Sequence, residues 1–531
     1  MKRSTAILTA TALAVLLGVT VALAFFRRSL PASQGGWGAS SPLTPVPPTP
    51  IPLQKGADPV PEFIGREATP HPIDAPSIPQ NPHLSTGSWS AIHDDTYMSD
   101  TYDGGTLGPL GHDPTVASTF FPARPKSPVG QVTVITFDRD GRLVAGVIKL
   151  DLIARTAWVR LTLIDPGTLN TLAWLDLPKE PLKRPFRPSG AYFFQEGRDR
   201  VVIGTPNRQV LLISHTDTAP FTFTKEVTYT LGGRAIPEGD QIEALQPDSS
   251  GLAWFTSKNG VVGTLNLDTS AVYTMTLPGE RIVNSHASDL DGGVYIVSTA
   301  AMYRFDAAES GAVTMTWRET YDAGTDTKPG QVDIGSGTTP TLMGDDYVTI
   351  TDNASPRMNV LVYRRAVLLE PGVSRLVCAE PVFQPGRASN ENSLVATDRS
   401  IIVENNYGYE GYKATRKGRT TEPGLARVDL NDDGSGCHTV WTNMDIRIPT
   451  AVTKMALSNG LIYTYTKPEG PDKTDAWYFT AVDYYTGEVV WSRLAGTGDL
   501  YNNSYASVYL GKDGALYAGV MGGIVAMRDG Q

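Results

Sequence analysis

The chain has very little cysteine, with only Cys378 and Cys437 in 531 residues. That excludes a cysteine-rich zinc fold and a C-x-x-C-H haem attachment. No Gly-x-Ser-x-Gly elbow, phosphate-binding loop or His-Glu-x-x-His motif is present, which removes the most recognisable hydrolase, nucleotide and zinc-protease readings. Long Lys/Arg runs are also missing, and the formal net charge of −10 argues against a nucleic-acid phosphate partner. Helical periodicity is almost absent. Short β-rich runs such as Val132–Phe137, Val201–Gly204, Val294–Val297, Ile401–Val403 and Leu461–Thr466 dominate instead, so the class is all-β.

What is present is a repeat. An apolar strand, a tight turn and a second β-rich strand recur, with turns at Asp140-Gly141, Gly197, Ser250-Gly251, Gly292, Gly344-Asp345, Asp398-Arg399, Asn459-Gly460 and Asp513-Gly514. A spacing of roughly 40–60 residues accommodates four strands per unit and predicts a β-propeller of eight blades, with seven as the alternative. The last unit, Ala506–Leu510, Ala515–Val520 and Gly523–Met527, is one strand short. The missing strand is expected from the N-terminal side, near Trp89–Ile92 or Thr115–Phe121, which closes the ring and protects its edges.

Upstream of the repeats, Thr5–Phe26 is uncharged and flanked by Lys2, Arg3, Arg27 and Arg28. It is long enough to span a bilayer, and Ala22-Leu23-Ala24 also fits a cleaved secretory signal. Either reading exports the remainder, as a single-pass cell-membrane protein or as a secreted one. The expected organisation is an anchor or signal over 1–28, a Pro-rich spacer over 29–85 and a propeller over 86–531. Export permits a disulfide between Cys378 and Cys437, two separate thiols being the alternative.

The final repeat, Leu510-Gly-Lys-Asp-Gly-Ala-Leu-Tyr-Ala-Gly-Val-Met-Gly-Gly-Ile-Val-Ala-Met, resembles the repeat of quinoprotein (PQQ-like) propellers. Tyr478-Phe-Thr-Ala-Val-Asp followed by Thr486-Gly-Glu-Val-Val-Trp491 is similar to that family's strand, Asp, Thr-Gly turn and blade-docking Trp. Trp89-Ser-Ala-Ile-His-Asp-Asp resembles the tryptophan-led segment that opens many such propellers. The resemblance covers about the last sixty residues and implies a fold, because the superfamily includes quinone-dependent dehydrogenases and non-catalytic assembly factors. The adjacent Cys-Cys pair that many quinone-dependent alcohol dehydrogenases place against the cofactor is missing, so PQQ is not expected.

In a propeller the first strand of each blade lines the channel, which makes Glu243, His286, Glu391, Asn392, Lys454, Asn502 and Asn503 candidate channel residues. Asp352 and Asn405 lie seven positions beyond the turn residues Asp345 and Asp398, at one repeat position. Oxygen donors of this kind suit calcium, and Asp352, Asn392, Asn405 and Asn503 form the expected ligand set. Turn-making by the same Asp and Asn side chains is the competing explanation. His286 is the candidate general base if the protein is an enzyme. Glu243, Glu391, Lys454 and Asn502 are candidate contacts to a small polar ligand, with mutual neutralisation of Glu243 and Lys454 as the plainer reading. The stretch His93–Asp103 would either cross the channel mouth as a lid or, the favoured reading, run as a solvated connector. The Gly-, Lys- and Arg-rich segment Tyr407–Glu422 reads as an exposed contact loop.

Together these readings predict a membrane-tethered, extracytoplasmic propeller that binds a small polar ligand or docks a protein partner, with calcium as a candidate channel ion. A metal-dependent hydrolase or lactonase of paraoxonase-like type is the alternative, and a quinone-dependent dehydrogenase is a more distant one.

Overall fold

The computed structural model describes residues 60–530 apart from 88, 104, 106–107, 122–129, 183–189, 191 and 471. The proposed anchor and most of the spacer lie outside the described residues. Among the described residues no helix is long and apolar enough to cross a membrane.

The chain forms an eight-bladed β-propeller whose blades each have four antiparallel strands, with one further strand paired in blade 1 and two in blade 7. The innermost strands of blades 1 to 8 are, in order, Gly130–Phe137, Phe194–Glu196, Ile242–Pro247, Ala287–Ser288, Thr341–Met343, Val395–Ala396, Lys454–Ala456 and Val508–Leu510. The region around Val132 therefore makes a complete blade. Thr115–Phe120 pairs antiparallel with Gly523–Arg528 and supplies the outermost strand of blade 8. Ring closure thus comes from the second of the two expected segments.

Each blade is sandwiched between neighbours, so its strands need apolar side chains on both faces. In blade 2, Val201, Ile203, Leu211 and Ile213 pack on blade 1 residues such as Val159 and Leu161. The intervening Val202, Val210 and Leu212 pack on Leu245 and Phe255 of blade 3. Each such Val, Ile or Leu stabilises by about 1.5–3 kcal/mol relative to exposure. Outermost strands face water, and in Phe223–Thr230 five consecutive residues are exposed.

The repeated turns have a common mechanism. Asp138, Asp248 and Asp289 each accept, through Oδ1, backbone N–H bonds from residues two and four positions on, at 2.7–3.1 Å. The turn glycines Gly141, Gly251 and Gly292 have φ of 80°, 89° and 91°, where a side chain is disfavoured. The second oxygens of Asp248 and Asp289 bind Trp254 Nε1 and Tyr295 OH on the next strand, at 2.7 and 2.8 Å. A short polar signature thereby fixes both the turn and the strand that follows. Trp491 is fully buried in the cluster that joins blade 7 to Val508, Leu510 and Val525 of blade 8, as a blade-docking tryptophan should be.

The spacer boundary at residue 85 needs correction. From residue 60 onward the chain packs on the propeller, with Phe63–Gly65 pairing on the outer strand of blade 7. It then crosses the face that carries the Asp-Gly turns, where His71 N donates to Asn459 O, Ile73 N to Leu457 O, and Leu84 bridges Glu196. Ala68, Ile73, Ile78 and Leu84 are buried, one apolar anchor every five or six residues. Such sparse anchoring between prolines has neither strand nor helix periodicity, so it reads as a spacer in sequence.

Candidate functional site

The channel is filled by the protein itself. Residues 90–102 are all buried, and the chain from Trp89 to Tyr102 runs around the axis with its carbonyls turned outward to the blades. Trp89 O accepts Phe137 N of blade 1, Ser90 O accepts Gln195 N of blade 2, and Thr96 O accepts Ser288 N of blade 4. Tyr97 O, Ser99 O, Asp100 O and Tyr102 O accept N–H groups of Leu342, Ala396, Met455 and Leu457, in blades 5, 6, 7 and 7. Blade 8 is held by side chains, with Trp89 Nε1 donating to Leu510 O and Leu510 N donating to Tyr102 OH. Backbone groups buried at an axis need partners, and here plug and blades satisfy one another.

Curling so tightly requires left-handed backbone, at Asp94 (φ 73°), Met98 (φ 55°) and Asp100 (φ 52°). Aspartate tolerates that region better than most residues, which accounts for two of the three positions. The carboxylates then meet a buried cation. Lys454 has no exposed side-chain surface, is paired with Asp100, and lies 3.3 Å from Asp94 Oδ1. Burial alone would lower the Lys454 pKa, but Asp100 and Asp94 outweigh it and hold the ammonium more firmly protonated than usual. Asp100 also lies 3.1 Å from His93 Nδ1, while His93 Nε2 is 3.0 Å from Ser393 Oγ. Both ring nitrogens of His93 therefore have a buried polar partner.

The remaining acids of the plug are pushed toward neutrality. Burial raises Asp94 well above the carboxylate range, and Tyr102 OH donates to its Oδ1 at 2.7 Å. Burial raises Asp95 to about 7 against the lowering effect of the Ser99 hydroxyl, which donates to it at 2.6 Å. Glu404 beside the plug is raised to about 8 by burial, although Asn392 and the Thr453 hydroxyl donate to it.

This arrangement revises the reading of the channel residues. The stretch from His93 to Tyr102 is no solvated connector, because all of it is buried and most of its polar side chains meet buried partners. Lys454 is committed to Asp100 and Asp94, which removes both its pairing with Glu243 and its availability to a free ligand. His286 has no exposed surface, neither ring nitrogen has a hydrogen-bond partner among the described residues, and burial lowers its pKa to about 3. A base needs access to the proton it takes, and His286 is fully buried in this structure.

The expected calcium ligands are spent on the protein. Asp352 accepts Ala354 N, Asn359 N and Asn359 Nδ2; Asn405 Oδ1 accepts Ser389 N and Tyr407 N; Asn503 Oδ1 accepts the Thr450 hydroxyl. Asn392 donates to Glu404. Three of the four residues thus have their side-chain oxygens occupied by N–H or O–H donors, and the set does not fit a calcium ion. Glu391 accepts Val332 N, and Asn502 joins Tyr409, Ser504 N and Thr415. These side chains weld together the loops on the face opposite the Asp-Gly turns. Glu243 is buried on the inner strand of blade 3.

On that same face the Tyr407–Glu422 loop stands beside an open cleft of ≈ 530 Å³, lined by residues including Glu410, Lys417, Arg419, Glu469 and Lys473. Asp475 anchors the loop by accepting Lys417 N and Gly418 N at 2.9 and 2.8 Å. A Cβ at Gly418 would lie 1.9 Å from Gly470 O, so only glycine allows this approach. Farther out, a disulfide joins Cys378 to Cys437, tying the outer strand of blade 5 to that of blade 6.

No family model matches the chain. An uncharacterized protein of Archaeoglobus fulgidus is 27% identical over 324 residues, covering 55% of this chain and 62% of that protein. The match therefore spans less than two thirds of that relative. Among solved structures, BamB from Moraxella catarrhalis covers 79% of this chain and 98% of its own at 10% identity, with a TM-score of 0.45. Streptogramin B lyase covers 78% and 97% at 10% identity and a TM-score of 0.37. Both are β-propellers.

Proposed function

We propose that this protein is a partner-docking propeller of the quinoprotein-like type, displayed outside the cytoplasm by its N-terminal segment. The observation that carries the reading is the plug. Among the described residues, 90–102 are buried at the axis and bonded to the inner strands, which favours recognition at the faces. One face is crossed by the N-terminal strap. The opposite face presents the anchored Tyr407–Glu422 loop and its cleft, whose mixed Lys, Arg and Glu lining suits a polar peptide or loop of a partner. Rigid display is consistent with the Asn and Asp bonds that fix the surrounding loops.

A photo-crosslinking amino acid at Glu410 or Lys417 of the full chain, expressed in its native host, tests this. Discrete adducts of one size are expected from both positions and none from Lys225 on the exposed outer strand of blade 2. Adducts no different from those at Lys225 would overturn the reading.

A further inference from the structure

We infer that Asp138, Asp199 and His215 form a binding site for a divalent first-row transition-metal ion between blades 1 and 2. The three residues arrive from separate elements: Asp138 and Asp199 from the first turns of blades 1 and 2, His215 from the end of the third strand of blade 2. One ligand atom from each lies within 4.8 Å of the others. His215 Nε2 is 3.6 Å from Asp199 Oδ2 and 3.9 Å from Asp138 Oδ2. Two ligands of a tetrahedral zinc, each at about 2.1 Å, sit about 3.4 Å apart, so each carboxylate has to close on the histidine by a few tenths of an ångström to share an ion with it.

The imidazole supplies the independent observation. Its side chain is 1% exposed, yet among the described residues Nε2 has no hydrogen-bond partner, and it faces the two carboxylates. A buried ring nitrogen without a partner is costly, and a metal ion removes that cost. The surroundings orient the three ligands as a metal site requires. His215 Nδ1 lies 3.4 Å from Thr216 O, to which it donates when Nε2 is the ligand. Asp138 Oδ1 is fixed by Asp140 N and Arg142 N, and Asp199 Oδ1 by the Ser85 hydroxyl of the strap. The Oδ2 of each carboxylate lies nearest the histidine, although Asp199 Oδ2 also accepts Arg139 N at 3.3 Å.

Arg142 is the competing cation, with Nε 2.6 Å from Asp138 Oδ2. Its guanidinium also reaches Asp140 at 2.8 Å and donates to Asp217 O at 2.7 Å, contacts that hold it when Asp138 Oδ2 turns to the ion. One imidazole and two carboxylates suit zinc, manganese or iron better than calcium, whose preferred ligands are all oxygens. Because Ser85 binds the same Asp199, an ion here also fastens the strap to the blade 1–2 boundary.

The test uses chelator-stripped full chain titrated with zinc chloride alone, by calorimetry at pH 7.5. One equivalent of zinc is expected per chain. His215→Gln and Asp199→Asn should each weaken binding at least 100-fold, whereas His438→Gln, at an exposed histidine, should leave it unchanged. X-ray absorption on the zinc-loaded wild type gives a readout independent of variant folding, with one imidazole and oxygen ligands expected. Absence of stoichiometric zinc uptake, retention of affinity in His215→Gln, or a spectrum with no imidazole would each overturn the assignment.

Discussion

Replacing Glu404 with glutamine isolates the electrostatic character of the plugged channel. Burial raises this carboxyl from the ordinary 4.5 to about 8, so the folded protein holds a proton that the unfolded chain has released by neutral pH. The sign follows directly: the stabilising contribution is complete below pH 4.5 and is lost as pH rises toward the folded value. Integrating between pH 5 and 8 gives a loss of about 3 kcal/mol from this one group. Glutamine matches the shape and cannot ionise, so Glu404→Gln should remove that slope. Its altered bonds to Asn392 and Thr453 add a constant that does not vary with pH. The measurement is urea unfolding of both proteins at pH 5, 6, 7 and 8, followed by tryptophan fluorescence. Stability of the variant minus that of wild type should climb by about 3 kcal/mol across the range. Asp94 and Asp95 titrate in both proteins and cancel from the difference. A difference that stays flat within about 1 kcal/mol, or falls with pH, refutes the picture of a proton held beside the plug.

Lys454→Met leaves Asp100 buried without its cation and should destabilise the fold by about 3–5 kcal/mol, read as a lowered melting temperature; a change under about 1 kcal/mol would contradict the pairing. Reducing the Cys378–Cys437 bridge, whose cysteines are 59 residues apart, should lower stability by about 4 kcal/mol at neutral pH, and Cys378→Ser with Cys437→Ser should reproduce the loss without reductant. Gly418→Ala, at φ 78° and against Gly470 O, should abolish crosslinking from Glu410 while propeller melting shifts by no more than a few degrees.

The fold was legible because its determinants are local and repeated. Asp138, Asp248 and Asp289 each build the same turn from a residue and its neighbours two and four places on, and the Val201–Ile213 pattern of apolar side chains on both faces follows from being sandwiched. Thr115–Phe120 could be placed because an incomplete final repeat demands a partner. The strap was not legible, since Ala68, Ile73, Ile78 and Leu84 dock one at a time on turns far away in sequence. Position within the repeat correctly brought Lys454, Asn392 and His286 to the inner wall, and then misled about what they face. That depends on a segment more than three hundred residues from Lys454.

The same reasoning explains why the density of Asp, Thr, Ser and Tyr between His93 and Tyr102 is ambiguous in sequence. A polar stretch is normally solvated, because burying it without partners costs about 1–3 kcal/mol for each unsatisfied group. It becomes a stable plug only inside a ring that offers inner-strand N–H groups at the right heights, together with one ammonium to meet its carboxylates. Those N–H groups belong to backbone and carry no residue signature. Lys454 is the one member of the complement that sequence can show, and an aliphatic-stemmed cation on an otherwise apolar inner strand is the signal to seek. Its partner is then best sought among carboxylates outside the repeats, since neighbouring blades supply mainly apolar faces. For this chain that rule leads from Lys454 to Asp94 and Asp100.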